Sequence, residues 1–247
     1  MAVSAPMRLP TAHRWAAQEE SVLARAALRS QHCGVGGPWA LEIGGDRIEI
    51  YERFGAPTWH HDGAGRDRVI ACGAAVAGLT VAVRVLGWLP ETELLGDFQR
   101  PDLVATVSAG TRARPASDDV RRFQALFGHR RHRRTADPGE LPVGAVGEIV
   151  RAGALPGVRL VPVSEFVTAG RKQGGEPALL VVTDADGRRD QVLAGAAMQH
   201  SWLAAVARGF SVRPQIRAFQ SREYRQRVVR SAGLDGSPQL LLGLGIA

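Results

Sequence analysis

The chain has 247 residues, 45% of them apolar and 22% charged, with a formal net charge of +7. That much apolar content can bury a substantial core, either as one large domain or as two small halves, and it excludes a disordered or fibrous chain. Of the 31 basic residues only Lys172 is a lysine, an arginine bias that reads as composition rather than as a nucleic-acid interface, because charge alone is only an electrostatic footprint.

Two cysteines, Cys33 and Cys72, are too few for a disulfide framework or a cysteine-rich zinc site and suit a reducing, cytoplasmic setting. The N-terminal MAVSAPMRLPTAHRW lacks the apolar region of a secretory signal. The uncharged run Val69 to Val83 is shorter than the roughly 20 residues of a membrane span and reads as a core helix.

In chain order, Glu19 to Ser30 spaces Val22, Leu23, Ala26 and Ala27 as a helix does, with acids leading and arginines trailing. A glycine-rich stretch, Gly34-Val35-Gly36-Gly37, follows. A phosphate-binding glycine loop comes after a strand and opens a helix, whereas here a helix precedes and a strand follows. Leu41 and Ile43, then Ile48 and Ile50, alternate with polar residues around Gly44-Gly45-Asp46, the pattern of a hairpin.

Val69 to Gly87 is apolar nearly all round and ends on a glycine suited to a helix C-terminus, which predicts a central helix. Pro101 to Val107 predicts a strand, Ser117 to Phe127 a polar helix, Val143 to Ala152 a short helix and Val158 to Val163 a strand. A polar loop is expected through Lys172, then a buried strand from Ala178 to Thr183. A second apolar helix spans Asp190 to Gly209, an arginine-rich surface helix Ser221 to Ala232, and a last strand Gln239 to Leu244.

The two apolar helices repeat one another. Gly73-Ala74-Ala75 matches Gly195-Ala196-Ala197, Ala82 matches Ala204 and Gly87 matches Gly209, at a constant separation of 122 positions, from 73 to 195 and from 87 to 209. Each helix is later followed by a proline-led strand, Pro101-Asp102-Leu103-Val104 and Pro238-Gln239-Leu240-Leu241. Alanine-rich composition by itself can make two helices alike. The shared offset and the matching strands instead suggest a single-chain pseudo-dimer, since two copies are too few for a stacked solenoid.

The collinear series from Glu19 to Gly245 resembles the Acg-type branch of the nitroreductase superfamily, in which one chain carries two degenerate halves. The series comprises a helix, a glycine loop closing in Pro38-Trp39, a hairpin, CGAAVAGLTVAVRVLGW, PDLVATV, an arginine cluster ending Arg133-Arg134-Thr135, AGAAMQHSWLAAVARGF and SPQLLLGLG. The resemblance implies an α+β fold built as a pseudo-dimer around the central apolar helices, with halves at residues 1–116 and 117–247. It also implies an FMN held between the halves and NAD(P)H as reductant of a small organic substrate. Arg133, Arg134 and Thr135 match the family's arginine motif, and Gly36, Gly37, Pro38 and Trp39 fall on its flavin loop. Where that loop carries serine, asparagine and glutamine, this chain has His32, Val35 and Gly37. The arginine motif gives way to Ala136-Asp137-Pro138, and the long helical lid of relatives is replaced by about a dozen residues between Val163 and Ala178. These departures keep a flavin-free protein of the same fold as an alternative, acting as a partner subunit, a sequestering protein or a cofactor-independent tailoring enzyme. They also predict a crevice between the halves open to a bulky substrate, a protein partner or a second copy.

Other candidates are weaker. His60-His61-Asp62 and His129-x-x-His132 lack the third ligand that a metal needs. His32 beside Cys33 invites a nucleophile reading, but adjacent side chains rarely point at each other. Gln199, His200 and Ser201 interrupt an apolar helix and need partners, from a cofactor edge or from neighbouring carbonyls. Trp39 and Trp202 are expected as core anchors ahead of flavin-stacking residues. No acid–base dyad is evident, and flavin chemistry needs none.

Overall fold

A computed structural model of the chain describes residues 13–30, 37–55, 65–128, 141–142, 144–168 and 171–246, and within 164–176 the backbone alone. Helix α1 (Ala17–Arg29) starts where Glu19 accepts the Ala16 N–H at 2.9 Å, and it buries Leu23, Ala26 and Ala27. Strands β1 (Trp39–Gly44) and β2 (Arg47–Glu52) form the expected hairpin. Gly45 takes φ +62 at the first of its two turn positions, as the II′ class requires.

Helix α2 (Arg66–Val85) is buried on all sides and stops at Gly87, whose φ of +92 ends helical hydrogen bonding. By length and apolarity it is long enough to cross a bilayer, but 78% of its apolar window is buried inside the protein, so it is a core element here. Strands β3 (Trp88–Leu94) and β4 (Leu103–Arg112) complete an antiparallel sheet in the order β1-β2-β4-β3.

After α3 (Ser117–Gly128) and α4 (Ala145–Gly153) the plan repeats. The hairpin of β5 (Val158–Thr168) and β6 (Arg171–Thr183) leads to helix α5 (Arg188–Val206), then β7 (Phe210–Gln215), a 3-10 turn at Arg217–Gln220, α6 (Arg222–Ala232) and β8 (Ser237–Ile246). The second sheet runs β5-β6-β8-β7, again antiparallel throughout, which is the strand order of the first. Among the described residues the protein is an α+β fold of two four-stranded sheets and a central helix pair.

One sequence expectation is corrected, and two strands are added that the sequence pattern did not predict. The polar loop expected through Lys172 is strand, because β5 and β6 continue as a paired hairpin to Thr168 and Arg171. Trp88–Leu94 and Phe210–Gln215, for which the sequence pattern names no element, are the edge strands β3 and β7. Each carries a proline, Pro90 or Pro214, and an edge strand tolerates a missing N–H because one side of it has no neighbour to bond.

α2 and α5 cross at glycines. A Cβ on Gly73 would fall 2.8 Å from the carbonyl carbon of Val192 and closer still to its oxygen. A Cβ on Gly195 would meet Ile70 in the same way, 2.8 Å from its carbonyl carbon. Each glycine therefore touches the backbone three residues before the other, and only the absence of side chains lets the helices approach so closely. The crossing also interleaves the cores. Val192, Trp202, Leu203 and Val206 of α5 join the cluster around Ile48, Ile50 and Val107, while Ile70 and Ala74 of α2 join that around Leu179, Val181 and Leu240. β6 is apolar on consecutive residues because both its faces are covered. Leu179 and Val181 turn to α5, whereas Leu180 and Val182 turn to Phe219 and Val228.

Candidate functional site

Of the loop residues singled out in the sequence, Gly37, Pro38 and Trp39 are described. Gly37 holds φ +55, and a Cβ there would fall 3.2 Å from an Arg53 guanidinium nitrogen. The Pro38 carbonyl accepts the Arg53 backbone N–H at 2.9 Å, tying the loop to the end of β2. Trp39 is 8% exposed and shares a core cluster with Trp202, as anchors do. Gly34, Val35 and Gly36, the arginine motif Arg133-Arg134-Thr135, His32 and Cys33, and the pairs His60-His61 and His129/His132 lie outside the described residues. Among the described residues no group of three or more potential metal ligands converges. Cys72 is a free thiol inside the core, and burial pushes its pKa far up, which keeps it protonated and unreactive.

The helix crossing is locked by arginines that no motif announced. Arg66 and Arg188 open α2 and α5, again 122 positions apart, and each reaches the other half. Arg188 donates to Glu52 at the end of β2, at 2.7 Å, and to the Pro101 carbonyl before β4, at 3.1 Å. Arg66 donates to the Gln239 carbonyl in β8 at 2.8 Å and to the Gln239 side-chain oxygen. Glu52 also accepts from Arg68 at 3.1 Å, and its side chain is 1% exposed. Gln239 passes its own N–H groups to Thr183 at 2.7 Å and to Asp186 at 3.2 Å. A sign was present in the sequence: the helix repeat extends to Arg66 and Arg188, several residues before the matched glycines.

The expectation for Gln199-His200-Ser201 resolves residue by residue. Ser201 is buried and donates to the Ile149 carbonyl at 3.4 Å, and Gln199 is fully buried. His200 instead lines a cavity of about 280 Å³ between α2, β3, α5 and Leu155, with Val76, Ala77, Thr80, Leu94, Val192 and Arg189 among its walls. The buried Nδ1 of His200 has no hydrogen-bond partner among the described residues, and desolvation, helped by the charge of Arg122, lowers its pKa to about 4. The imidazole is therefore neutral near pH 7. A second, more open groove of about 620 Å³ follows α6 past Arg222, Arg225 and Arg230, where Arg225 is tied to Asp186 at 2.7 Å.

The described geometry defines a class: an α+β protein of two matching antiparallel sheets joined through crossed central helices, with a cavity beside the crossing. No protein-family model matches the chain, and neither does any curated protein. Among solved structures it is similar to a protein from Bacteroides thetaiotaomicron described as an NADH dehydrogenase/NAD(P)H nitroreductase. That match has 17% identity and a TM-score of 0.40, over 46% of this chain and 79% of the other. A protein of the same description from Parabacteroides distasonis matches at 16% identity and a TM-score of 0.41, over 50% and 86%.

Proposed function

We propose that this chain is an FMN-dependent NAD(P)H oxidoreductase of the nitroreductase type, a single-chain pseudo-dimer with halves at 1–116 and 117–247 that acts on a small organic substrate in the cytoplasm. The observation that carries the reading is the reciprocal crossing of α2 and α5 at Gly73 and Gly195 between two sheets of one strand order. Two halves joined in this way are what the Acg-type resemblance calls for, with the cofactor between them. When bound, FMN supplies the hydride chemistry, and the protein supplies binding, orientation and exclusion of water.

Arg133 and Arg134 would grip the phosphate through forked, charge-assisted bonds, with the Thr135 hydroxyl beside them. Gly36, Gly37, Pro38 and Trp39 would border the flavin. Gly37 suits that duty: its positive φ and bare Cα leave a small cradle next to the Arg53 guanidinium, which a side chain would fill.

The second reading, a flavin-free partner subunit, sequestering protein or cofactor-independent tailoring enzyme, is favoured by one observation. His32, Val35 and Gly37 stand where the family's loop offers serine, asparagine and glutamine side chains. An absorbance spectrum of freshly purified protein, followed by FMN titration, separates the two. The first reading expects saturable, salt-sensitive FMN binding. Replacing Arg133 and Arg134 together with alanine should weaken it by several kcal/mol, since charge-assisted bonds contribute about 1.5–3 kcal/mol each. No flavin uptake by the wild type at high FMN concentration moves the assignment to the second.

A further inference from the structure

Many arginines of this chain are held by carboxylates. Arg100 pairs with Asp97 and Glu49, Arg121 and Arg122 with Asp118, and Arg208 with Glu148. In the groove along α6, Arg225 is held in the same way. Its guanidinium donates to Asp186 at 2.7 Å and to the Phe219 and Gln220 carbonyls, and its side chain is 12% exposed. Arg222 and Arg230 line the same groove, are exposed, and have no carboxylate partner among the described residues. Arg230 donates only to the Gln226 carbonyl of its own helix, at 3.4 Å.

Helical spacing sets the two free cations on one face: Arg222, Gln226 and Arg230 recur every four residues, and all three line the groove. The carboxylate in the lining, Asp186, is already taken. One of its oxygens accepts from Arg225, and the other accepts from Gln239 at 3.2 Å. Glu223, the acidic residue of α6, does not line the groove. Arg225 and Asp186 therefore cancel, and two positive charges face a hollow of about 620 Å³. That volume falls within the roughly 300–1,000 Å³ of small-molecule sites and holds an organic body as well as an anion. Half-buried Val229 offers that body an apolar contact, and exposed Gln226 and half-buried Ser237 offer it hydrogen bonds.

We propose that the α6 groove binds a small organic phosphate in its dianionic form, the phosphate on Arg222 and Arg230 and the organic body along Gln226, Val229 and Ser237. Guanidinium forks match phosphate oxygens in geometry and charge. Two of them suit the two charges that a phosphate monoester carries above its second pKa of about 6. Calorimetric titration of the flavin-free full chain tests this with AMP, cyclic AMP and adenosine, at about pH 8 so that AMP is a dianion. The organic body stays nearly constant in that series while the charge steps from two through one to none. AMP should bind saturably and at least about tenfold more tightly than cyclic AMP, and adenosine should show no saturable binding over the same range. Arg222→Gln combined with Arg230→Gln should remove the advantage of AMP over cyclic AMP.

Two further variants separate the groove from bare surface charge. Gln226→Trp keeps every arginine and fills the groove from an exposed position of α6, so it should abolish AMP binding with the fold intact by circular dichroism. Arg227→Gln removes an exposed cation of the same helix that does not line the groove, so it should leave AMP binding unchanged. AMP binding that survives Gln226→Trp or the double arginine change overturns the proposal. So does equal affinity for AMP and adenosine, or a loss on Arg227→Gln as large as that on the double change. The site is separate from the arginine motif and every titration omits FMN, so failure here leaves the nitroreductase-type reading standing, and the converse also holds.

Discussion

Gly73→Ala is the sharpest probe of the architecture, because two effects of comparable size act on it in opposite directions. In a solvent-facing helix, alanine in place of glycine gains up to about 1 kcal/mol from backbone entropy. At the crossing, the new Cβ would stand 2.8 Å from the Val192 carbonyl carbon and closer to its oxygen, against an ordinary contact of at least 3.4 Å. The obstacle is main chain within a buried helix, so it cannot rotate away as a side-chain tip would. The helices must part by about 1 Å, loosening contacts along a fully packed pair, and overpacking of this kind costs about 1–3 kcal/mol or more. The clash wins, and a net loss of about 2 kcal/mol is expected, or roughly 4–8 °C in Tm for a chain of this size. Gly147→Ala is the control. Gly147 also lies in a helix, α4, but its Cβ would meet nothing within 4 Å, so that variant should be unchanged or more stable. Gly195→Ala should behave like Gly73→Ala, and the double variant should cost less than the sum, because parting the helices once relieves both clashes. Urea unfolding of the four variants reads all of this. Equal stability of Gly73→Ala and Gly147→Ala, or strict additivity of the two crossing variants, would refute the argument.

The remaining predictions are shorter. Glu52→Gln should cost about 2 kcal/mol in urea unfolding, because it leaves Arg68 and Arg188 facing an uncharged side chain in a largely buried place, and the partial exposure of Arg188 moderates the loss. His200 titrates at about 4 in the folded protein against an ordinary 6.5, so its neutral burial contributes stability that is fully present above pH 6.5 and is lost as the pH falls toward about 4. The gap corresponds to at most about 3 kcal/mol, less any relief from water in the cavity, and His200→Leu should flatten the pH dependence of Tm across that window. Glu49 and Asp118, held low by hydrogen bonds from Tyr51 and Arg121, stabilise the fold above the ordinary carboxylate range and lose that contribution only at more acidic pH, so they do not mimic the histidine. Val35→Asn, which gives the loop the amide that the nitroreductase resemblance calls for, should tighten FMN binding in a spectral titration under the proposed function, and an unchanged affinity would argue that the loop does not meet the flavin.

The sequence by itself determined the elements whose signal is local. Alternation around Gly45 specified the first hairpin, all-round apolarity marked α2 and α5 as central, and the 122-position repeat predicted two copies of one plan, a plan the two sheets share in their strand order. The arginine motif and most of the glycine loop were legible only as a resemblance. Tertiary structure decided what depends on partners far along the chain. β3 and β7 are strands because β4 and β8 offer them an edge, which no alternation within WLPETEL or FSVRPQ discloses. Glu52 and Arg188 stand 136 positions apart, and Arg66 and Gln239 173 apart. Local periodicity reports which face of an element is apolar but carries no information about which charge will oppose it once two helices have crossed. The cavity beside His200 is the same kind of fact. Ala77 and Thr80 are unremarkable small residues until α5 is laid across α2, and a cavity exists only as a difference in volume between surfaces that the chain brings together by folding.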